Sequence, residues 1–129
     1  MRIEHLAMWV KDLEKQKAFY EKYFQARASE KYINHQKNFQ SYFMSFDSGS
    51  RLELMHKPEI PASSNDTFAQ NIGLIHFAVS VGSKEKVDQL TTELKQSGFK
   101  ILDGPRTTGD GYYESVILDP EGNRIEIAI

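Results

Sequence analysis

Residues 3–10 read Ile-Glu-His-Leu-Ala-Met-Trp-Val, and residues 74–81 read Leu-Ile-His-Phe-Ala-Val-Ser-Val. The histidines of these stretches, His5 and His76, lie 71 residues apart, and each is followed two positions later by alanine. The alternation of apolar with polar or small residues in both stretches predicts β-strands. Two similar stretches at a long spacing indicate an internal repeat of a structural unit.

A second pair of stretches supports the repeat. Residues 51–54 read Arg-Leu-Glu-Leu and residues 124–127 read Arg-Ile-Glu-Ile, and the two lie 73 residues apart. Because both pairs occur in the same order at nearly equal spacing, we predict one domain of two modules, 1–57 and 72–129. The segment 58–71 between the modules is rich in Pro, Ser and Asn, which is typical of a linker.

Each module is predicted to be a βαβββ unit. Asp12 and Ser83 are predicted helix N-caps, and Gly98 is a predicted helix stop. The predicted fold class is therefore α+β, with two βαβββ modules whose mixed sheet curls into a cup. The predicted helices span 12–24 and 84–97, and the predicted strands span 3–10, 26–34, 39–47 and 51–56, then 74–81, 99–103, 112–118 and 124–129.

The composition limits the possible functions. The chain has 129 residues, 40% of them hydrophobic, with a formal net charge of −2 and no cysteine. The absence of cysteine excludes disulfides, zinc-thiolate sites and a cysteine nucleophile. The balanced charge gives no support for nucleic acid or a membrane as partner. Since no secretory signal or long apolar run is present, a cytoplasmic protein is expected.

Two histidines and two glutamates are predicted to lie on the polar face of the sheet, away from the helices. Because side chains alternate along a strand, His5, Glu53, His76 and Glu126 lie opposite the apolar residues of their strands. Two neutral imidazoles and two carboxylates suit a divalent cation such as zinc, nickel, cobalt, manganese or ferrous iron. The alternative is that the histidines are core residues and the glutamates are solvated strand positions.

Both ends of the chain resemble motifs of a known family. Residues 119–126, Asp-Pro-Glu-Gly-Asn-Arg-Ile-Glu, resemble the closing motif of the vicinal oxygen chelate superfamily, which includes glyoxalase I, bleomycin-resistance proteins and extradiol dioxygenases. The opening, His5 followed by Val10, Asp12 and Phe-Tyr at 19–20, is similar to the superfamily's opening. The resemblance covers essentially the whole chain and implies the glyoxalase-like fold. It is less informative about substrate, because one fold hosts several chemistries.

The complete set of four ligands favours a glyoxalase I-like member. This resemblance implies a metal-dependent isomerase or lyase, similar to lactoylglutathione lyase, acting by proton transfer next to a carbonyl through a metal-bound enediolate. Glu126 is the implied base and Glu53 the second acid–base group, with one zinc or nickel ion per site. Glutathione-using members resemble a pattern with arginine at Trp9 and asparagine near Lys57, and this departure argues against glutathione.

The substrate is expected to be a small molecule, and the chain is expected to form a homodimer, as modules of this superfamily commonly pair across chains. Trp9, Arg106, Tyr112 and Tyr113 are the predicted substrate contacts. The aromatic rings could stack on a ligand, and Arg106 could pair with a carboxylate or phosphate. The alternative functions are a drug-binding resistance protein of the same fold and a ring-cleaving dioxygenase.

Overall fold

The computed structural model describes all of residues 1–129 as two compact units, Met1–Ser63 (unit 1) and Ser64–Ile129 (unit 2). The boundary falls inside the predicted linker 58–71. Each unit has one helix and its own mixed sheet, so the predicted α+β class of two βαβββ modules is confirmed. None of the helices is long and apolar enough to cross a membrane.

Unit 1 has a sheet in which β1 and β5 are parallel and all other neighbours are antiparallel. The strand order is β1-β5-β4-β2, and β3 also pairs with β4. The elements are β1 (His5–Trp9), α1 (Leu13–Phe24), β2 (Arg27–Ala28), β3 (Tyr32–Asn34), β4 (Phe39–Ser45) and β5 (Arg51–His56).

The prediction of one continuous strand over 26–34 is wrong, because the chain leaves the ladder between β2 and β3. The cause lies at Ser29, whose backbone N–H donates to the carbonyl of Phe43 at 2.8 Å. The Ser29 hydroxyl, not its carbonyl, accepts the Phe43 N–H at 3.0 Å. Ser and Thr side chains compete with the backbone for such bonds, and here the competition interrupts the strand.

Unit 2 repeats this plan with the strand order β6-β9-β8-β7, in which only β6 and β9 are parallel. The predicted end of its second strand at residue 103 is wrong, because that strand continues to Thr107. The elements are β6 (His76–Ser80), α2 (Lys84–Gln96), β7 (Ile101–Thr107), β8 (Tyr113–Leu118) and β9 (Arg124–Ala128).

The helix ends agree with the predicted caps. The Asp12 carboxylate accepts the backbone N–H of Lys15 at 3.0 Å, and the Ser83 hydroxyl accepts that of Lys86 at 3.3 Å. These bonds satisfy donors that the first turn of a helix leaves free. Gly98 follows the C-cap of α2 with φ +87°, a conformation that glycine adopts without strain.

Each sheet presents an apolar face to its helix. The apolar residues of β5 and β9 are buried, whereas the glutamates between them are only partly buried. Helix and sheet therefore enclose a separate core in each unit, and the polar side chains lie on the face of the sheet opposite the helix. The buried strand residues that define these faces are Leu52, Leu54, Ile125 and Ile127.

The turn between β8 and β9 is held by Asp119, which is 4% exposed. Its carboxylate accepts the backbone N–H groups of Glu121 and Asn123, both at 2.9 Å. It also accepts the Asn123 side-chain amide at 2.8 Å. This turn fixes the register in which Val116 lies opposite Glu126.

Candidate metal and substrate site

Unit 2 brings one histidine and one glutamate together on neighbouring strands. Glu126 of β9 lies opposite Ala78, two residues beyond His76 on β6, so both side chains project from the same face. The distance from His76 Nε2 to Glu126 Oε2 is 3.2 Å. The side chains are 38% and 18% exposed, so they are accessible to a small ligand.

Unit 1 repeats the arrangement at the equivalent positions. Glu53 of β5 lies opposite Ala7, two residues beyond His5 on β1, and His5 Nε2 lies 3.8 Å from Glu53 Oε2. These side chains are 38% and 15% exposed, close to the values in unit 2. Two sheets with separate cores thus produce the same nitrogen–oxygen pair.

The second nitrogen of the His5 ring is held by a carboxylate. His5 Nδ1 lies 2.5 Å from Glu4 Oε2, and Glu4 is also bound by the Arg51 guanidinium. The hydrogen bond from His5, followed by that from Arg51, lowers the pKa of Glu4, which is therefore ionised and acts as acceptor. His5 Nδ1 then carries the proton, and the Nε2 atom that faces Glu53 is the nitrogen available as a ligand.

The chemistry of each pair suits a transition metal. Imidazole nitrogen and carboxylate oxygen are ligands of zinc and nickel, and the carboxylate offsets part of the cation's charge. Neither unit by itself gathers three or more histidine, aspartate or glutamate side chains in a metal-binding arrangement. A pair alone supplies two donors, fewer than the three or four protein ligands that are usual for zinc.

Glu114 is a further carboxylate near the unit 2 pair, and it is not among the residues predicted from the sequence. It lies on β8 opposite Ala128, on the same sheet face as Glu126. Burial, and then the negative charge of Glu126, raise the pKa of Glu114, while Arg106 and His76 lower it. The pattern of β8 alone does not mark this glutamate, because Ser115, the next residue along the strand, is also polar but is buried on the helix face.

Arg106 already has a partner in unit 2. Its Nε donates to the Asp103 carboxylate at 2.7 Å, and this hydrogen bond lowers the pKa of Asp103. A bulge makes the pair possible, because Asp103 and Arg106 lie opposite Val116 and Glu114, so three steps on β7 match two on β8. Without the extra residue the two side chains would project from opposite faces.

The two predicted tyrosines have different surroundings. The Tyr113 hydroxyl donates to Asp88 at 2.8 Å, and the Lys84 ammonium lies 5.0 Å from the centre of the Tyr113 ring. Both partners belong to α2, so Tyr113 lies on the helix face of β8, opposite to Glu114. Tyr112 is exposed and precedes the strand.

Trp9, the remaining predicted substrate contact, ends β1 on the same face as His5. Its ring packs edge-on against Phe39, with ring centres 5.9 Å apart. Trp9 is 43% exposed, so part of the indole is available to a ligand.

The sequence matches the Glyoxalase/Bleomycin resistance protein/Dioxygenase superfamily over residues 2–127, and the chain belongs to this superfamily. Members of the superfamily typically bind a divalent metal. The predicted resemblance to the vicinal oxygen chelate superfamily is therefore confirmed.

Solved structures show the same fold. A trypanothione-dependent glyoxalase I of Leishmania major superposes with a TM-score of 0.77 at 21% identity. The match covers 98% of this chain and 85% of the Leishmania chain. A possible glyoxalase from Bacillus cereus covers 100% of this chain and 99% of its own, with a TM-score of 0.70 and 27% identity. A glyoxylase/bleomycin resistance protein/dioxygenase domain from Frankia sp. reaches a TM-score of 0.82 at 16% identity, covering 100% and 97%.

A curated relative covers part of the chain. The uncharacterised protein YqjT of Bacillus subtilis is 36% identical over 59 residues, which are 43% of this chain and 46% of that protein. The match thus spans less than half the length of either protein.

Proposed function

We propose that this protein is a metal-dependent isomerase or lyase of the glyoxalase I type, which moves a proton at a carbon next to a carbonyl. The observation that carries the proposal is the recurrence of one histidine–glutamate pair at equivalent positions of two separate sheets. If the glutamates were ordinary solvated strand residues, nothing in the fold would require a histidine beside each of them in both units.

The proposed metal ligands are His5, Glu53, His76 and Glu126. Two nitrogen and two oxygen donors suit one divalent cation, and zinc or nickel is the favoured choice over cobalt, manganese or iron. A bound cation would polarise two neighbouring oxygens of the substrate and so favour loss of the proton from the adjacent carbon.

Glu126 is the proposed general base, and Glu53 is the proposed second acid–base group. The Glu126 carboxylate takes the proton from the carbon, and it or Glu53 returns the proton to the neighbouring carbon or the opposite face. Partial burial supports these roles, because it limits the water that competes for the proton while leaving room for substrate.

The proposed substrate is a small molecule that contacts Trp9, Arg106 and Tyr112. Because Asp103 neutralises Arg106 and two glutamates share its sheet face, the cation would be needed before an anionic group could bind beside Arg106. Tyr113 is not included, since its hydroxyl is bound to α2. We also propose a homodimer and a cytoplasmic location.

A drug-binding protein of the same fold is the second candidate, favoured by the exposed rings of Trp9 and Tyr112. A binding protein would hold its ligand by stacking and would not need the histidine–glutamate pairs. Ligand binding that persists after treatment with EDTA, without turnover, would support this second function over the first.

The metal content of purified variants tests the ligand set. The variant His76→Ala is expected to lose most of its bound zinc or nickel in elemental analysis. His35→Ala is a matched control, because His35 lies exposed in the turn between β3 and β4. Equal metal content in the two variants and the unmodified protein would contradict the proposed site.

Solvent exchange tests the reaction. In deuterated water, the metal-loaded protein is expected to incorporate deuterium next to the carbonyl of a methylglyoxal hemithioacetal or a 2-methyl-acyl thioester. Glu126→Asp withdraws the carboxylate by about 1 Å and is expected to slow exchange about 100-fold. A metal-occupied protein that catalyses exchange in neither substrate would leave ligand binding as the function.

A further inference from the structure

A row of residues that includes two large aromatic side chains crosses the sheet of unit 1 next to the histidine–glutamate pair. Trp9 lies opposite Met55, Met55 opposite Ser41, and Ser41 opposite Tyr32. Met55 follows Glu53 by two residues, so the row lies on the sheet face that carries the pair. Two residues along a strand span about 7 Å, which is the size of a phenyl ring.

Phe39 joins the two rings of this row. Its ring centre is 5.9 Å from that of Trp9 and 6.1 Å from that of Tyr32, at interplanar angles of 89° and 60°. We call Trp9, Tyr32 and Phe39 the aromatic row. Trp9 is 43% exposed and Tyr32 is 56% exposed, so the row has ring surface that the chain itself does not cover.

The sheet of unit 2 has no such row at the matching level. There Ser80 lies opposite Ala128, Ala128 opposite Glu114, and Glu114 opposite Arg106. The architecture therefore does not require aromatic residues at these positions. Exposed apolar surface is unfavourable in water, and a cluster of it beside polar groups is typical of a binding site.

We infer that the aromatic row binds a planar aromatic ring of the substrate, so that the substrate class is an aryl compound with two neighbouring oxygens. The inference rests on the proposed function, since the oxygens are assigned to the adjacent metal site. A ring bonded directly to the reacting carbon fits the spacing of about 7 Å between Glu53 and Met55. Offset and edge-to-face contacts with Trp9 and Phe39 would add to the apolar burial.

A comparison of mandelate with lactate isolates the contribution of the substrate's aromatic ring to binding. Both compounds carry a hydroxyl next to a carboxylate, and they differ only in a phenyl or a methyl group. Trp9 is the only tryptophan of the chain, so its fluorescence reports on the row directly. Mandelate is titrated into the whole zinc-loaded protein, and lactate is measured by its displacement of mandelate.

Mandelate is expected to change the Trp9 emission and to bind at least about tenfold more tightly than lactate. Phe39→Leu is expected to reduce this preference to about twofold, because it removes the ring that joins the row. Phe68→Leu is the matched control, since Phe68 is exposed in unit 2, and it should keep the full preference.

The outcomes separate this inference from the proposed function. A preference for mandelate that persists in EDTA, in a protein without metal-dependent turnover, would support the row and refute the isomerase. Equal affinities for mandelate and lactate in a protein with confirmed turnover would refute the row alone. Trp9 emission that responds to protein concentration but not to mandelate would show that a second copy covers the row, which also refutes the inference.

Discussion

Gln16 is a fully buried side chain whose amide makes no hydrogen bond, either through its nitrogen or through its oxygen. It lies four residues after the N-cap of α1, and the equivalent position of α2 is the buried Val87. Burying an unpaired amide costs stability, whereas an apolar side chain of similar size gains from the same burial.

We therefore expect Gln16→Met to raise the free energy of unfolding by about 1–2 kcal/mol, measured by urea denaturation. Gln36→Met is the control, because Gln36 is exposed in a turn and its substitution should change little. A destabilised Gln16→Met protein would mean that the amide is satisfied by internal water.

Glu114 leads to a pH-dependent prediction for the metal-free protein. Its pKa is raised mainly by burial and then by Glu126, so the folded state disfavours the ionised carboxylate. The resulting cost in stability is present above the raised pKa, and it disappears below the pKa of the unfolded chain, where both states are protonated.

Glu114→Gln is accordingly expected to raise the denaturation midpoint at pH 7 but not at about pH 3.5, in the presence of EDTA. Glu30→Gln, at an exposed loop position, should show no such difference. An equal effect of Glu114→Gln at both pH values would assign it to packing and not to charge.

The residues of the pairs could be predicted from sequence, but their surroundings could not. Alternation along single strands was enough to put His5 and Glu53 on the polar face. The neighbourhood of Glu114 depends on register across three strands, and the partner of Arg106 depends on a bulge. Neither property is visible in the pattern of one strand.

Among the elements, β7 is the one whose course depends on a single glycine. Gly104 has φ +76°, and a Cβ added there would lie 2.5 Å from the carbonyl oxygen of Glu114 and 2.9 Å from the Cα of Ser115. Both are backbone atoms of the adjacent strand, which cannot yield as a flexible side chain would.

Gly104→Ala is expected to lower the free energy of unfolding by about 2–4 kcal/mol in urea. Gly109→Ala is the matched control, since a Cβ at Gly109 meets no atom within 4 Å. A loss of stability that is equally small in both variants would show that the bulge can shift at little cost.

The helices were predictable because their signals are local, as in the capping side chains of Asp12 and Ser83. The extents of the strands predicted at 26–34 and 99–103 were not predictable, because the first is interrupted and the second is longer than expected. The hydroxyl of Ser29 accepts the Phe43 N–H and interrupts the strand predicted over 26–34. The predicted strand stops before Gly104 and Pro105, yet the observed strand continues through them because a bulge accommodates the extra residue.

At the scale of the whole molecule, each sheet keeps an edge strand with a single partner. β1 pairs only with β5, and β6 pairs only with β9. Exposed edges offer unpaired backbone groups to another chain. We expect sedimentation equilibrium to give about twice the 14.8 kDa of the chain, and a single species at 14.8 kDa would contradict the proposed homodimer.

The repeat predicted the two units because duplication leaves matched spacing in the sequence, and the family followed from motifs at both ends. The substrate could not be predicted in the same way, because a fold constrains the positions of side chains but not the compound they bind. The rings of Tyr32 and Phe39 come together only through the ladder of β3 with β4.

The turn held by Asp119 shows that a motif that identifies a family can have a structural role and not a chemical one. Residues 119–126 form the motif by which the family is most readily recognised. Within it, Asp119 and Asn123 stabilise the turn, and only Glu126 belongs to the proposed site. Substitutions at Trp9 or Glu114 can therefore change the compound that is bound while the turn still identifies the family. In such a lineage, shared descent informs about the scaffold, and substrate choice has to be sought in residues outside the motif.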